Sequence, residues 1–409
     1  MRRLACILGL LLVVGGCKIE KVEPPTQDPI IVSLRVSSYL VSPGGYTEIL
    51  AWASDPDLQD DTLYYEWSVE PQDGKFTDTT DTNETNTANP IRWWPETPRD
   101  TNYVIHLKVT DGRGGEAETT IGISVSYYTL VKVIGEGELD MPFGLNVEEE
   151  EIWVVDPSQK LIFVFDMNGN KKAEYTAVVM EVSEEGDTSY IEIEPYDIEI
   201  GDTLYYVASV TGTDGKGGTY AGKLNEKNGE ILLTVKYPTG EANAYVQLRE
   251  NSSDTLLIGK NDGNNRLAIV DLVNLNVKNC EIAYAVAGGI ANDGKKAYQT
   301  FYYDTLTAGV KWVDLDDPDS TYGFFYTSLH NPKGIGYDPV EKLLYVGDAP
   351  PGDRNIVVLK AEDGSVEEIF GTLGDAPDQL NMPTDIEIKN GYIYVVDMGN
   401  RVIKVFRKK

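Results

Sequence analysis

The sequence predicts an all-β chain: a β-sandwich toward the N-terminus, then a six-bladed β-propeller closed by a strand from its own beginning. Three observations carry that expectation. The first is repetition: Pro383-Thr-Asp-Ile-Glu-Ile388 with Gly391-Tyr-Ile-Tyr-Val-Val-Asp397 restates Pro195-Tyr-Asp-Ile-Glu-Ile200 with Thr203-Leu-Tyr-Tyr-Val207. Fainter copies stand at Pro142-Phe-Gly-Leu-Asn-Val147 with Ile152-Trp-Val-Val-Asp156, and at Pro332-Lys-Gly-Ile-Gly-Tyr337 with Leu343-Leu-Tyr-Val-Gly-Asp348. Their spacing of roughly 45 residues suits a four-stranded blade. The second is period-two alternation between turn clusters upstream of the repeats, as a sandwich requires. The third is that the chain stops one strand short of a complete last blade, while Tyr128-Thr-Leu-Val-Lys-Val133 has no other partner.

Residues 1–16 open the chain with Met-Arg-Arg and an apolar run that is too short for a stable bilayer-spanning helix. They read as an export signal. Val14-Gly15-Gly16-Cys17 resembles the bacterial lipobox, which implies cleavage before Cys17, acylation of that cysteine, and attachment to a lipid bilayer. Lys18 stands where an aspartate would imply inner-membrane retention, so the resemblance implies an outer-membrane address in a cell with two membranes. Cleavage removes Arg2 and Arg3 and leaves 33 Lys plus Arg against 66 Asp plus Glu. So acidic a surface repels phosphate backbones, and nucleic acid is not an expected partner. With Cys6 removed and Cys17 acylated, Cys280 has no intrachain partner, and it is read as a small buried hydrophobe.

Residues 17–29 carry the lipidated cysteine and a polar, proline-bearing linker. Residues 30–126 form the expected sandwich, with strands at Thr47-Glu-Ile-Leu-Ala-Trp-Ala53, Leu63-Tyr-Tyr-Glu-Trp-Ser-Val69, Tyr103-Val-Ile-His-Leu-Lys-Val109 and Glu116–Val125. Ala53-Ser-Asp-Pro-Asp57, Trp94-Pro95 and Thr110-Asp-Gly-Arg-Gly-Gly115 resemble the PKD and cadherin-like branch of immunoglobulin-like domains, although the Trp-Asp-Phe-Gly-Asp-Gly motif of PKD domains is absent. Trp67 is expected between the sheets, Asp111-Gly112 at the last hairpin turn, and residues 77–89 in a solvated loop. Asp55, Asp57, Asp60, Asp61 and Asp111 are candidate oxygen ligands for Ca²⁺, which draws several such ligands from flexible loops. The alternative is that these aspartates only start turns. Apart from Ca²⁺, no cofactor is expected.

Residues 127–409 hold the expected blades, with innermost strands near Pro142, Pro195, Asn243, Gly288, Pro332 and Pro383. The Gly-rich lead-ins ending at Met141-Pro142 and Met382-Pro383, and the core Gly391-Tyr-Ile-Tyr-Val-Val-Asp-Met-Gly-Asn-Arg-Val-Ile-Lys-Val-Phe406, resemble NHL-repeat propellers. Asp156, Asp348 and Asp397 then fall at the family's turn-forming aspartate, where they are expected to bond their own turns.

Six-bladed relatives include zinc lyases and metal-dependent lactonases. His330 is the only histidine after residue 127, which is too few for a zinc site and a poor basis for a catalytic triad; it is kept as a rim residue. Asp197 with Glu199, and Asp385 with Glu387, are spaced by two, so each pair shares a strand face near the axis. They either pair with neighbouring blades or hold a divalent cation for lactone hydrolysis. The expected function is non-catalytic: an envelope lipoprotein whose propeller binds a protein or a glycan, with the cation-dependent lactonase or hydrolase as the alternative.

Overall fold

The computed structural model describes residues 27–56, 62–80, 83–183, 185–210, 217–225, 227–237, 243–260, 266–281, 286–304, 307–325, 329–349 and 355–409. Among these residues every regular element is a strand. The strands assemble into four-stranded antiparallel sheets consistent with a β-propeller, preceded by two further sheets.

The first of the two preceding sheets orders Ile30–Val36, Thr47–Ser54, Ile91–Trp94 and Lys75–Thr77; the second orders Leu40–Val41, Glu116–Val125, Arg99–Thr110 and Tyr64–Glu70. Alternation decides which faces meet. Tyr103, Ile105, Leu107 and Val109 are buried, while the residues between them are half-exposed. Trp67 and Trp93 are fully enclosed in the shared core, and Trp67 donates its indole N–H to the Ala88 carbonyl at 2.9 Å. Gly112 adopts φ 72° in the turn before Glu116–Val125, a conformation that favours glycine. The stretch expected as a solvated loop is more ordered than that. It begins at the last residue of the strand Lys75–Thr77, bridges Thr77 to Glu84, and runs beside Trp67, whose backbone N–H donates to the Asn86 carbonyl and whose indole N–H donates to Ala88.

The remaining strands form six successive units. Their first strands are Leu145–Val147, Asp197–Ile200, Asn243–Leu248, Val286–Asn292, Pro332–Asp338 and Pro383–Lys389, and each neighbours the next in a closed circuit. The sixth unit takes its outer strand from upstream: Tyr128–Ile134 pairs antiparallel with Val402–Lys408, from Ile134 against Ile403 to Tyr128 against Lys408. Tyr128 stacks on Phe370 at 4.2 Å, and Phe370 meets Phe406 edge-on at 5.0 Å, so the closing strand is held by a buried aromatic group.

A second departure from simple repetition was not expected from the sequence. Lys171–Val182 starts as the outer strand of the first unit and then leaves it: Thr176, Ala177, Val178 and Val179 pair in parallel with Glu230 to Leu233 of the second unit. Its far end pairs with an added strand, Thr188–Glu192, so two units merge into one nine-stranded sheet.

The first sheets dock on the ring through polar contacts. Ser42 N–H donates to buried Asp378 at 2.7 Å, and Ser126 Oγ–H and Tyr127 N–H both donate to one Glu368 carboxylate oxygen at 3.1 Å.

Candidate functional site

The axis is where the sequence places its four candidate carboxylates, and the inner strands bring them together. Asp385 accepts from Ile386 N–H of its own strand at 2.9 Å and from Leu145 N–H of the adjacent unit at 2.8 Å. Asp197 does the same with Ile198 N–H at 2.9 Å and Val246 N–H at 2.8 Å. Both oxygens of each aspartate are therefore engaged by backbone donors, one of them across a unit boundary. Glu199 accepts from Asn146 Nδ2–H of the first unit at 3.1 Å. The strands approach closely: a Cβ on Gly334 would lie 2.5 Å from the Asp385 Cα, so glycine is required there.

Electrostatics follow from enclosure. Burial pushes the Asp385 carboxyl up to about 7, and its backbone donors pull against that rise. Asp197 is held well above the usual carboxylate range, first by burial and then by the charge of Asp385. Burial raises Glu199 to about 8, and Glu387 rises well above its ordinary value through burial and then the charge of Glu199. Burial and then the two aspartate charges raise the Tyr245 phenol. Enclosure and mutual charge thus both favour the protonated forms within this group. Among the described residues, no three His, Cys, Asp or Glu side chains are placed to hold a metal ion.

Asp156, Asp348 and Asp397 reach further than the turns expected of them. Asp156 accepts from Asp140 and Met141 N–H, Asp348 from His330 and Asn331, and Asp397 from Asn381 and Met382. In each case the donors are the two residues before the proline that opens the inner strand. Asp156 and Asp397 bond their own turns as well, through Gln159 N–H and Asn400 Nδ2–H. The signal was in the sequence of these three units, as an Asp at the end of the second strand and x-x-Pro before the first, but their pairing needed the fold. At Asp156 burial raises the carboxyl and the hydrogen bonds outweigh it, so it lies below its ordinary value, whereas at Asp348 burial prevails and the value is raised.

The His330 ring is partly exposed, with Nδ1 3.5 Å from the Asp348 carboxylate. Asp111 is buried and accepts from Arg113 N–H at 2.7 Å and Gly115 N–H at 3.0 Å, so it shapes its own hairpin turn. Asp55 follows the strand Thr47–Ser54, while Asp57, Asp60, Asp61 and Cys17 lie outside the described residues. Cys280 is buried in an apolar cluster, and burial pushes its thiol up to about 11.

No protein-family model matches the chain, and neither does any curated protein. Solved structures do. An auxiliary nutrient binding protein from Bacteroides thetaiotaomicron is 11% identical with a TM-score of 0.51, the match covering 94% of this chain and 98% of that one. A protein of unknown function from the same organism is 12% identical with a TM-score of 0.47, covering 94% and 99%. The Cps50 (Swd1) β-propeller domain of Myceliophteria thermophila is 9% identical with a TM-score of 0.44, covering 69% and 100%. The first of these shares the fold over nearly the full length of both chains.

Proposed function

We propose that the chain is an envelope lipoprotein whose propeller is a non-catalytic binding platform for a protein or a glycan. In this reading residues 1–16 are the signal, Cys17 is acylated and holds the protein to a lipid bilayer, and residues 17–29 are a linker. Residues 30–126 form an immunoglobulin-like spacer and residues 127–409 a six-bladed, NHL-like propeller closed by Tyr128–Ile134. An outer-membrane address applies if the cell has two membranes, and nucleic acid is excluded as a partner on charge.

The observation that carries this reading is the engagement of Asp197 and Asp385. Each accepts a backbone N–H from its own strand and another from the neighbouring unit, which gives both carboxylates a structural role that needs no cation. The carboxylates act as staples between units, and recognition falls to the variable loops of a rigid ring. The likeness to a nutrient binding protein across 94% of the chain agrees with a binding role.

The test is cross-linking in intact cells together with a glycan array probed by the full-length protein, and a reproducible partner or glycan is expected. Turnover of a lactone by protein supplied with Ca²⁺ or Zn²⁺, abolished by Asp385→Ala, would overturn the platform reading in favour of the hydrolase.

A further inference from the structure

We propose that the seam between the sixth and first units is a binding pocket for a small organic anion with an apolar body, such as an aryl or short-chain carboxylate. This site is separate from the platform reading and does not depend on it. A cavity of about 320 Å³ lies at the seam. Its walls come from four stretches of chain: Lys132 of the closing strand, Met167 after Leu161–Asp166, Tyr392 and Tyr394, and Val405 with Arg407. A thioether, two phenol rings and a branched side chain supply the apolar lining. The volume falls within the roughly 300–1,000 Å³ that small-ligand pockets occupy.

Charge specifies the occupant. No carboxylate lines the cavity, while two cations do. The Arg407 guanidinium lies over the Tyr392 ring, 5.2 Å from its centroid. Lys132 donates one Nζ–H to the Met167 carbonyl and keeps two for a ligand. Among the described residues, neither cation is ion-paired to a carboxylate. That is notable in a chain with 66 acidic side chains and 35 basic ones, where Lys171, Lys172 and Lys278 all sit against carboxylates. A larger cleft of about 550 Å³ around Tyr337 makes the contrast, since four lysines there face four carboxylates and the site neutralises itself. Two cations lining one cavity with apolar walls favour a carboxylate head on an apolar tail.

The probe is 3-phenylpropionate, with 3-phenylpropanamide as its uncharged counterpart, each titrated calorimetrically into the full-length protein. The acid is expected to saturate and the amide to bind at least about tenfold more weakly, a difference of about 1.4 kcal/mol. Arg407→Gln should weaken the acid by a similar factor and leave the amide within about twofold, with the melting temperature unchanged because the Arg407 side chain is exposed. Lys132→Met is the second variant and should move the acid in the same direction. Equal affinity for the two probes, acid affinity unchanged in both variants, or no saturable binding of the acid at millimolar concentration would each overturn the proposal.

Discussion

Two strands in this molecule pair outside the unit that follows or contains them in sequence, and they are held by different means. Tyr128–Ile134 completes the sixth unit in an antiparallel ladder capped by Tyr128, Phe370 and Phe406, all buried. Thr176–Val179 joins the second unit through four parallel partner pairs, and the strand beyond it ends at an open, mostly exposed edge, Thr188–Glu192. The first seam seals the ring, and its stability comes from enclosed aromatic area. The second decorates the ring, and its edge is blunted by the charges of Glu181, Glu185, Asp187 and Glu192. Strand exchange alone thus says little about mechanical importance; what each seam encloses decides it.

The largest test of that contrast is Phe406→Ala. Removing a fully buried ring from the closing seam should cost about 3–5 kcal/mol, read as a shift in the urea midpoint. A cost near zero would mean that the seam is not held by its aromatics.

The Asp378 contact gives the closing side a pH dependence of its own. Burial raises Asp378, which anchors the Ser42 turn, to about 6, whereas an exposed aspartate titrates near about 3.9. The folded chain therefore binds this proton more tightly than the unfolded chain. The resulting stability is fully present below about pH 4 and is lost as pH rises through about 6, on the order of 3 kcal/mol in all. Asp378→Asn keeps an acceptor for Ser42 N–H and should flatten that part of the pH profile. Hydrogen exchange should report the change in Tyr128–Ile134 and leave Thr188–Glu192 unaffected.

Val179→Ala probes the other seam. The side chain is buried, so a loss of about 1–2 kcal/mol is expected, below that of Phe406→Ala. Equal losses would break the comparison. The smallest effect belongs to Tyr190→Ser at the open edge, where a residue that is 62% exposed should change the midpoint by no more than about 0.5 kcal/mol.

The two seams also differ in how readable they are. Residues 128–133 could be assigned because the last unit lacked a strand and the chain offered one candidate. The exchange at residues 176–179 could not, because a strand that changes partners midway keeps its alternation and extended backbone, so nothing in Ala177-Val-Val-Met-Glu-Val182 marks the crossing. The candidate site follows the same logic. Asp197 and Asp385 stood out by their repeated position, but their partners are the backbone N–H groups of Leu145 and Val246, which carry no side-chain signature. The anion pocket was hidden for a third reason, since its walls are distant in sequence and meet only after the ring closes.

Only Ser126 and Tyr127 separate Glu116–Val125 from the strand that seals the ring. A pull applied through the early sheets would reach that strand with no slack to absorb it. The Glu368 carboxylate grips both intervening residues, and the Tyr127 carbonyl accepts from Lys409 N–H at 2.9 Å. Tension along the chain would load these Glu368 hydrogen bonds before it reached the ladder of Tyr128–Ile134.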